Sequence, residues 1–97
     1  MKNIPKSREQ AFKEKNAAVG RAFSLYLMDH PHFAEQFPFR AHVIFEIEGD
    51  EAYNAWSETV GGSGADPDQP IIHIILEGFD LKTGKIIGSP KIKQAQT

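Results

Sequence analysis

The run Ile71-Ile72-His73-Ile74-Ile75-Leu76 constrains the fold more than any other part of the chain. Five of its six residues are aliphatic and four are isoleucine, with Pro70 before it and Gly78 close behind. A short β-branched run between breakers is a strand, since a helix of that length does not stand alone. An apolar run broken only by His73 has neighbours on both sides and cover on both faces. The remaining sequence is therefore read as the surroundings of one central strand.

Residues 41–48, Ala-His-Val-Ile-Phe-Glu-Ile-Glu, form the strand before it. Val43, Phe45 and Ile47 share one face, and His42, Ile44, Glu46 and Glu48 share the other. Asp50 is an N-cap, and Glu51 follows where the helix dipole favours an acid. Tyr53, Trp56 and Val60 give a helix over residues 51–60 an aromatic face. The glycines and prolines of residues 61–70 form a flexible connector. Strand, helix, connector and strand make a βαβ unit with parallel strands and a right-handed crossover. Asp80 and Gly84 then predict a tight turn. A third strand over about 85–93 returns antiparallel. Pro90 and the lysines at 85, 91 and 93 mark it as a protected sheet edge.

The N-terminal part is helical. Ser7 caps a helix running to about Met28, with Gln10 as a capping-box partner. Phe12, Asn16, Val19, Phe23 and Leu27 form its buried stripe, flanked by Ala22 and Tyr26. Gly20 in mid-helix costs about 1 kcal/mol against alanine, which suggests a close approach there. Pro31 breaks this helix and starts a short second one carrying Phe33 and Phe37. The predicted class is α+β: two N-terminal helices packed on a small mixed three-stranded sheet, a βαβ unit followed by a hairpin to an edge strand. The 97 residues make one domain, with disorder expected at 1–6 and 94–97.

With Tyr26, Leu27, His30, Pro31, Phe33, Ala34, Glu35, Pro38, Gln69 and Pro70 in these places, the chain resembles a family of small uncharacterised prokaryotic proteins. In that family a helix ends in a Tyr-Leu…His-Pro motif, and a short Phe-Ala-Glu helix and a proline lead into a strand. An acidic helix and a Gln-Pro-led apolar strand follow. The likeness spans roughly residues 17–93 and supports the same element order. Gly61–Gly64 departs from it, where the family implies more helix. The resemblance implies no reaction, cofactor or active site.

Composition removes several classes of function. Without cysteine there is no disulfide, thiolate metal site or cysteine nucleophile, which fits a reducing compartment. No apolar stretch reaches membrane-spanning length, and no apolar h-region follows the charged start, so the cytoplasm is the expected location. Charge is segregated. Residues 1–28 hold six Lys/Arg and two Glu, residues 29–80 hold one Arg and eleven Asp/Glu, and residues 81–97 hold four Lys. Basic ends could meet nucleic acid, but no dense cluster is present. The plainer reading lays them over the acidic middle, with no specific nucleic-acid partner expected.

The chemistry-bearing candidates each have a structural counterpart. His42 and Glu46 on the first strand, and His73 and Glu77 on the second, could meet at one metal ion if the register brings them together. Otherwise they are a half-solvated sheet face. His30-Pro31-His32 is a helix start, since proline holds the rings apart. Gly61–Gly64 lacks the Gly-Lys-Ser/Thr of a phosphate loop and precedes two aspartates. Tyr53 and Trp56 could stack on a base, but their helical spacing suits a core. No Ser–His–Asp triad assembles, and no cofactor or tight metal is expected. Leu25 and Met28 fall opposite the buried stripe. Together with Phe33 they either lie under the short helix or form an apolar contact patch. The function expected is a non-enzymatic protein-interaction module, a homodimer or partner-binding protein. The alternative is a small metal-assisted or acid–base enzyme using the His/Glu cluster.

Overall fold

The computed structural model describes residues 7–93. The disorder expected at 1–6 and 94–97 lies outside them. Helix α1 (Arg8–Asp29) starts at Ser7, whose side chain accepts from the Gln10 N–H at 3.1 Å. Helix α2 (Pro31–Ala34) is a single turn with Pro31 at its first position. It ends before Phe37, and a turn carries the chain on to strand β1 (His42–Ile47). Helix α3 (Glu51–Trp56) is capped by Asp50, whose carboxylate accepts from the Tyr53 N–H. The helical path then runs past the expected end at residue 60. A wide π turn (Ser57–Gly61) and a tight 3-10 turn (Gly62–Gly64) follow. The extra helix that the family likeness implied is therefore present in spite of its glycines. Strands β2 (Ile71–Leu76), β3 (Gly78–Asp80), β4 (Lys85–Ile87) and β5 (Lys91–Ile92) complete the chain.

The fold is α+β, with a mixed three-stranded sheet in the order β1-β2-β5. Strand β2 is central, parallel to β1 and antiparallel to β5. The expected third strand over 85–93 is not one strand. Its first part, β4, pairs with β3 in a separate two-stranded ribbon, and only its end, β5, returns to β2. The break comes at Gly88, which holds φ +77° and would bring any Cβ into the Glu77 carboxylate. Pro90 then sits buried beside the sheet. Asp80 closes the β3–β4 turn as expected, accepting from the Lys82 N–H at 2.9 Å, with Gly84 at φ +71°.

The register pairs Ile44 with His73, Phe45 with Ile74, and Ile47 with Leu76. One face of the sheet thus carries Val43, Phe45, Ile47, Ile72, Ile74 and Leu76. Helix α1 covers it with Val19 and Phe23, and Tyr53 of α3 completes the core. Phe23 anchors an aromatic cluster, with Phe45 at 5.3 Å, Phe37 at 5.8 Å and Phe33 at 6.2 Å between ring centroids. Phe33 is therefore largely a core-edge residue. The other face carries His42, Ile44, Glu46, Ile71, His73 and Ile75. Gly62 lies against Ile44 there, where an added Cβ would come within 3.3 Å of the Ile44 Cδ1. Strand β2 is central as predicted but not deeply buried on both faces, because Ile71 is exposed and Ile75 only half-buried. Gly20 has open space where a Cβ would go, so no packing within the described chain accounts for it.

Candidate functional site

The second face of the sheet is where side chains able to do chemistry converge. His73 projects from β2, Glu46 from β1, and Glu58 from the π turn above them. One ligand atom from each lies within 4.8 Å of the other two. The Nδ1 of His73 stands 3.6 Å from the Glu58 Oε2, too far for a hydrogen bond. That nitrogen is shielded from water and has no hydrogen-bond partner among the described residues. Lys93, just beyond β5, reaches Glu46 Oε1 at 3.5 Å, and its backbone N–H donates to the His73 carbonyl. Two carboxylates, an imidazole and an ammonium thus meet, drawn from four separated parts of the chain. Such a set can pass a proton or hold a divalent cation by one nitrogen and two oxygens. It can also stand unliganded, because Lys93 answers Glu46 and the Glu58 carboxylate is largely solvated.

Of the four residues the sequence nominated, two belong to this cluster. His42 does not. The register sets it opposite Ile71, and its Nε2–H donates to the Gly61 carbonyl at 2.6 Å. That bond fixes its tautomer and ties the π turn to the start of β1. Glu77 does not either. Its carboxylate accepts from the Ser89 N–H at 3.2 Å and bends over Gly88. Glu58 was missed. A wheel drawn at 3.6 residues per turn places it by the spacing of Tyr53, Trp56 and Val60, but the π turn widens the helix after Trp56 and rotates the residues beyond it. No sequence signal marks that turn.

The remaining candidates have structural roles. The His30 Nδ1–H donates to the Tyr26 carbonyl at 2.8 Å, closing α1, and its ring stacks on Tyr26 at 3.8 Å. His32 is fully open beside Glu35. Tyr53 and Trp56 pack on Phe12, and the Tyr53 hydroxyl donates to Asn16 Oδ1 at 2.6 Å. Burial pushes the Tyr53 phenol up to about 12. Asp50 is partly buried, which by itself would raise its carboxyl. The bond from Lys15 and the Tyr53 N–H outweigh that and hold it below the ordinary 3.8. Leu25 and Met28 are exposed at 63% and 77%, so α2 does not fold back over them. No helix among the described residues is long and apolar enough to cross a membrane.

No curated protein and no solved structure matches the chain. A family model does: residues 11–86 match a family of unknown function, DUF5647, a span that takes in most of α1, all of α2, the βαβ unit and most of the β3–β4 ribbon, and the chain belongs to that family.

Proposed function

We propose that the chain is a non-enzymatic protein-interaction module that works as a homodimer or as the smaller half of a protein pair, in the cytoplasm. The observation that carries this reading is the exposure of Leu25 and Met28, one turn apart on the outer side of α1. Neither is needed to cover the sheet. The β3–β4 ribbon packs beside α1, and Leu25 borders a cleft between α1 and Gly84, Lys85 and Ile86. Ile87 on that ribbon is also exposed. Apolar side chains grouped in this way on a small protein usually mark a contact surface. A protein partner suits the charge pattern better than nucleic acid does. Lys15 from the basic N-terminal part is paired with Asp50, and Lys93 from the basic end with Glu46. The double change Leu25→Lys, Met28→Lys should yield a folded protein that has lost its partner, read as a fall in molar mass with an unchanged circular dichroism spectrum. A wild type that is monomeric and captures nothing from a lysate of its source would refute the patch.

A second reading, a small metal-assisted or acid–base enzyme, is favoured by the grouping of Glu46, Glu58 and His73. Calorimetric titration with zinc or manganese tests its metal-assisted form. Stoichiometric binding lost in His73→Ala would support it, and no heat above dilution would remove it.

A further inference from the structure

The outer edge of β1 carries outward backbone groups that nothing pairs among the described residues, and it differs in this from the short edge at β5. His42 and Glu48 donate to the carbonyls of Pro70 and Leu76, so the even-numbered residues of β1 face β2. Val43, Phe45 and Ile47 consequently turn their N–H and C=O groups outward. At Ile47 both are taken by one side chain: its N–H donates to Asn54 Oδ1 at 2.7 Å, and its C=O accepts from Asn54 Nδ2 at 2.8 Å. At the opposite end the Ala41 N–H is turned back to the Pro38 carbonyl. Among the described residues no partner is shown for the outward groups of Val43 and Phe45. The other edge is β5, two residues long, which follows Pro90, contains Lys91 and is followed by Lys93, devices that discourage pairing. Strand β1 has no proline, lysine or bulge.

We infer that a second copy of this chain adds to this edge, its β1 antiparallel to the first about a twofold axis at Ile44. The reading shares with the proposed function only the idea of a protein partner, and it uses a different surface. The caps select the register. Centring on Ile44 sets Val43 against Phe45 of the second copy and Phe45 against its Val43, giving four backbone hydrogen bonds and using the outward groups of both residues. Centring on Phe45 would set Val43 against the Ile47 that Asn54 already occupies. The same register puts His42 opposite the second copy's Glu46, and Glu46 opposite its His42, so the side chains flanking the axis are complementary rather than alike. Ile44 meets itself at the axis. Beside the edge, on the α1 face, lies an open groove of about 440 Å³ lined in part by Gly20, Ser24, Phe37 and Val43. Gly20 and Ser24 leave room there for the second copy's α1, which supplies a use for the glycine. The assembly is a continuous six-stranded sheet with β5 at both ends.

Light scattering on the full chain should give twice the 10.8 kDa chain mass. Val43→Pro removes an outward N–H while leaving the ladder to β2 intact, so it should halve the mass and keep the sheet. Should that variant fail to fold, His42→Cys with Glu46→Cys reads the same register, as the chain has no other cysteine. Four residues apart on a strand, the two thiols cannot join within one chain. Oxidation should give a covalent dimer from the double variant and little from either single one. A wild type of single-chain mass at high micromolar concentration overturns the inference, as does a folded Val43→Pro variant that stays dimeric. A dimer broken by Leu25→Lys, Met28→Lys but not by Val43→Pro overturns it while supporting the helix patch.

Discussion

The two faces of the sheet are made by the same strands and differ in nearly every physical respect. On the α1 face, alternate residues of β1 and β2 are aliphatic or aromatic and meet further rings. Ile74, Leu76, Val19 and Tyr53 there are fully shielded from water. On the other face the same strands present His42, Glu46 and His73 between isoleucines, under a turn of glycines and Glu58. The first face has little freedom to vary, because each side chain is held by several others. The second is buried only at its middle, where Ile44 lies under Gly62, and elsewhere it is tied by single polar contacts such as His42 to Gly61. Most of the stability therefore resides on the first face, and the side chains able to do chemistry gather on the second.

The largest test of that division compares two isoleucines three residues apart. Ile74→Ala on the buried face should cost about 2–5 kcal/mol, from lost burial and the cavity left behind. Ile71→Ala on the open face, where the side chain is 46% exposed, should cost less than about 1 kcal/mol. Urea unfolding of both variants measures the contrast, and similar losses would break it.

Next comes Tyr53, whose hydroxyl is a polar group in the buried layer. Tyr53→Phe should cost about 1 kcal/mol, because Asn16 loses its donor. With its phenol raised to about 12 against an ordinary 10.0, Tyr53 stays neutral in the fold when the unfolded chain begins to ionise. Its contribution is complete below pH 10 and is lost as pH rises toward 12. Tyr53→Phe should flatten that alkaline loss, followed by thermal melts across the range.

Asp50 gives a smaller effect of opposite sign. Its lowered carboxyl contributes stability that is present above the ordinary 3.8 and lost as pH falls through the folded value. Asp50→Asn should remove that acid dependence at a cost of about 1 kcal/mol or less, from the lost charge pair with Lys15, since asparagine caps a helix as well as aspartate does. The smallest change belongs to the second face. Glu58→Gln should move stability by less than about 0.5 kcal/mol, since its carboxylate is largely solvated. A larger loss would mean that Glu58, His73 and Glu46 hold the two halves of the crossover together.

The order and kind of the elements were legible from the residues alone: two helices, a βαβ unit and a return. So were the α1 stripe through Val19 and Phe23, the caps at Ser7 and Asp50, the breaker at Pro31 and the Asp80–Gly84 turn. All of these are set by neighbours within a few residues, through periodicity, capping or proline geometry, so a linear reading reaches them. Three features arose only from long-range packing. Strand register separated His42 from His73, because a parallel ladder is set by packing between strands and not by spacing along either. The helix beyond Trp56 widened into a π turn and carried Glu58 over His73, a change of pitch with no local code. The last strand broke at Gly88, where the backbone takes φ +77° beside the Glu77 carboxylate, which accepts from the Ser89 N–H. Contacts between residues far apart in the chain, such as Lys93 with Glu46, exist only once the sheet has closed.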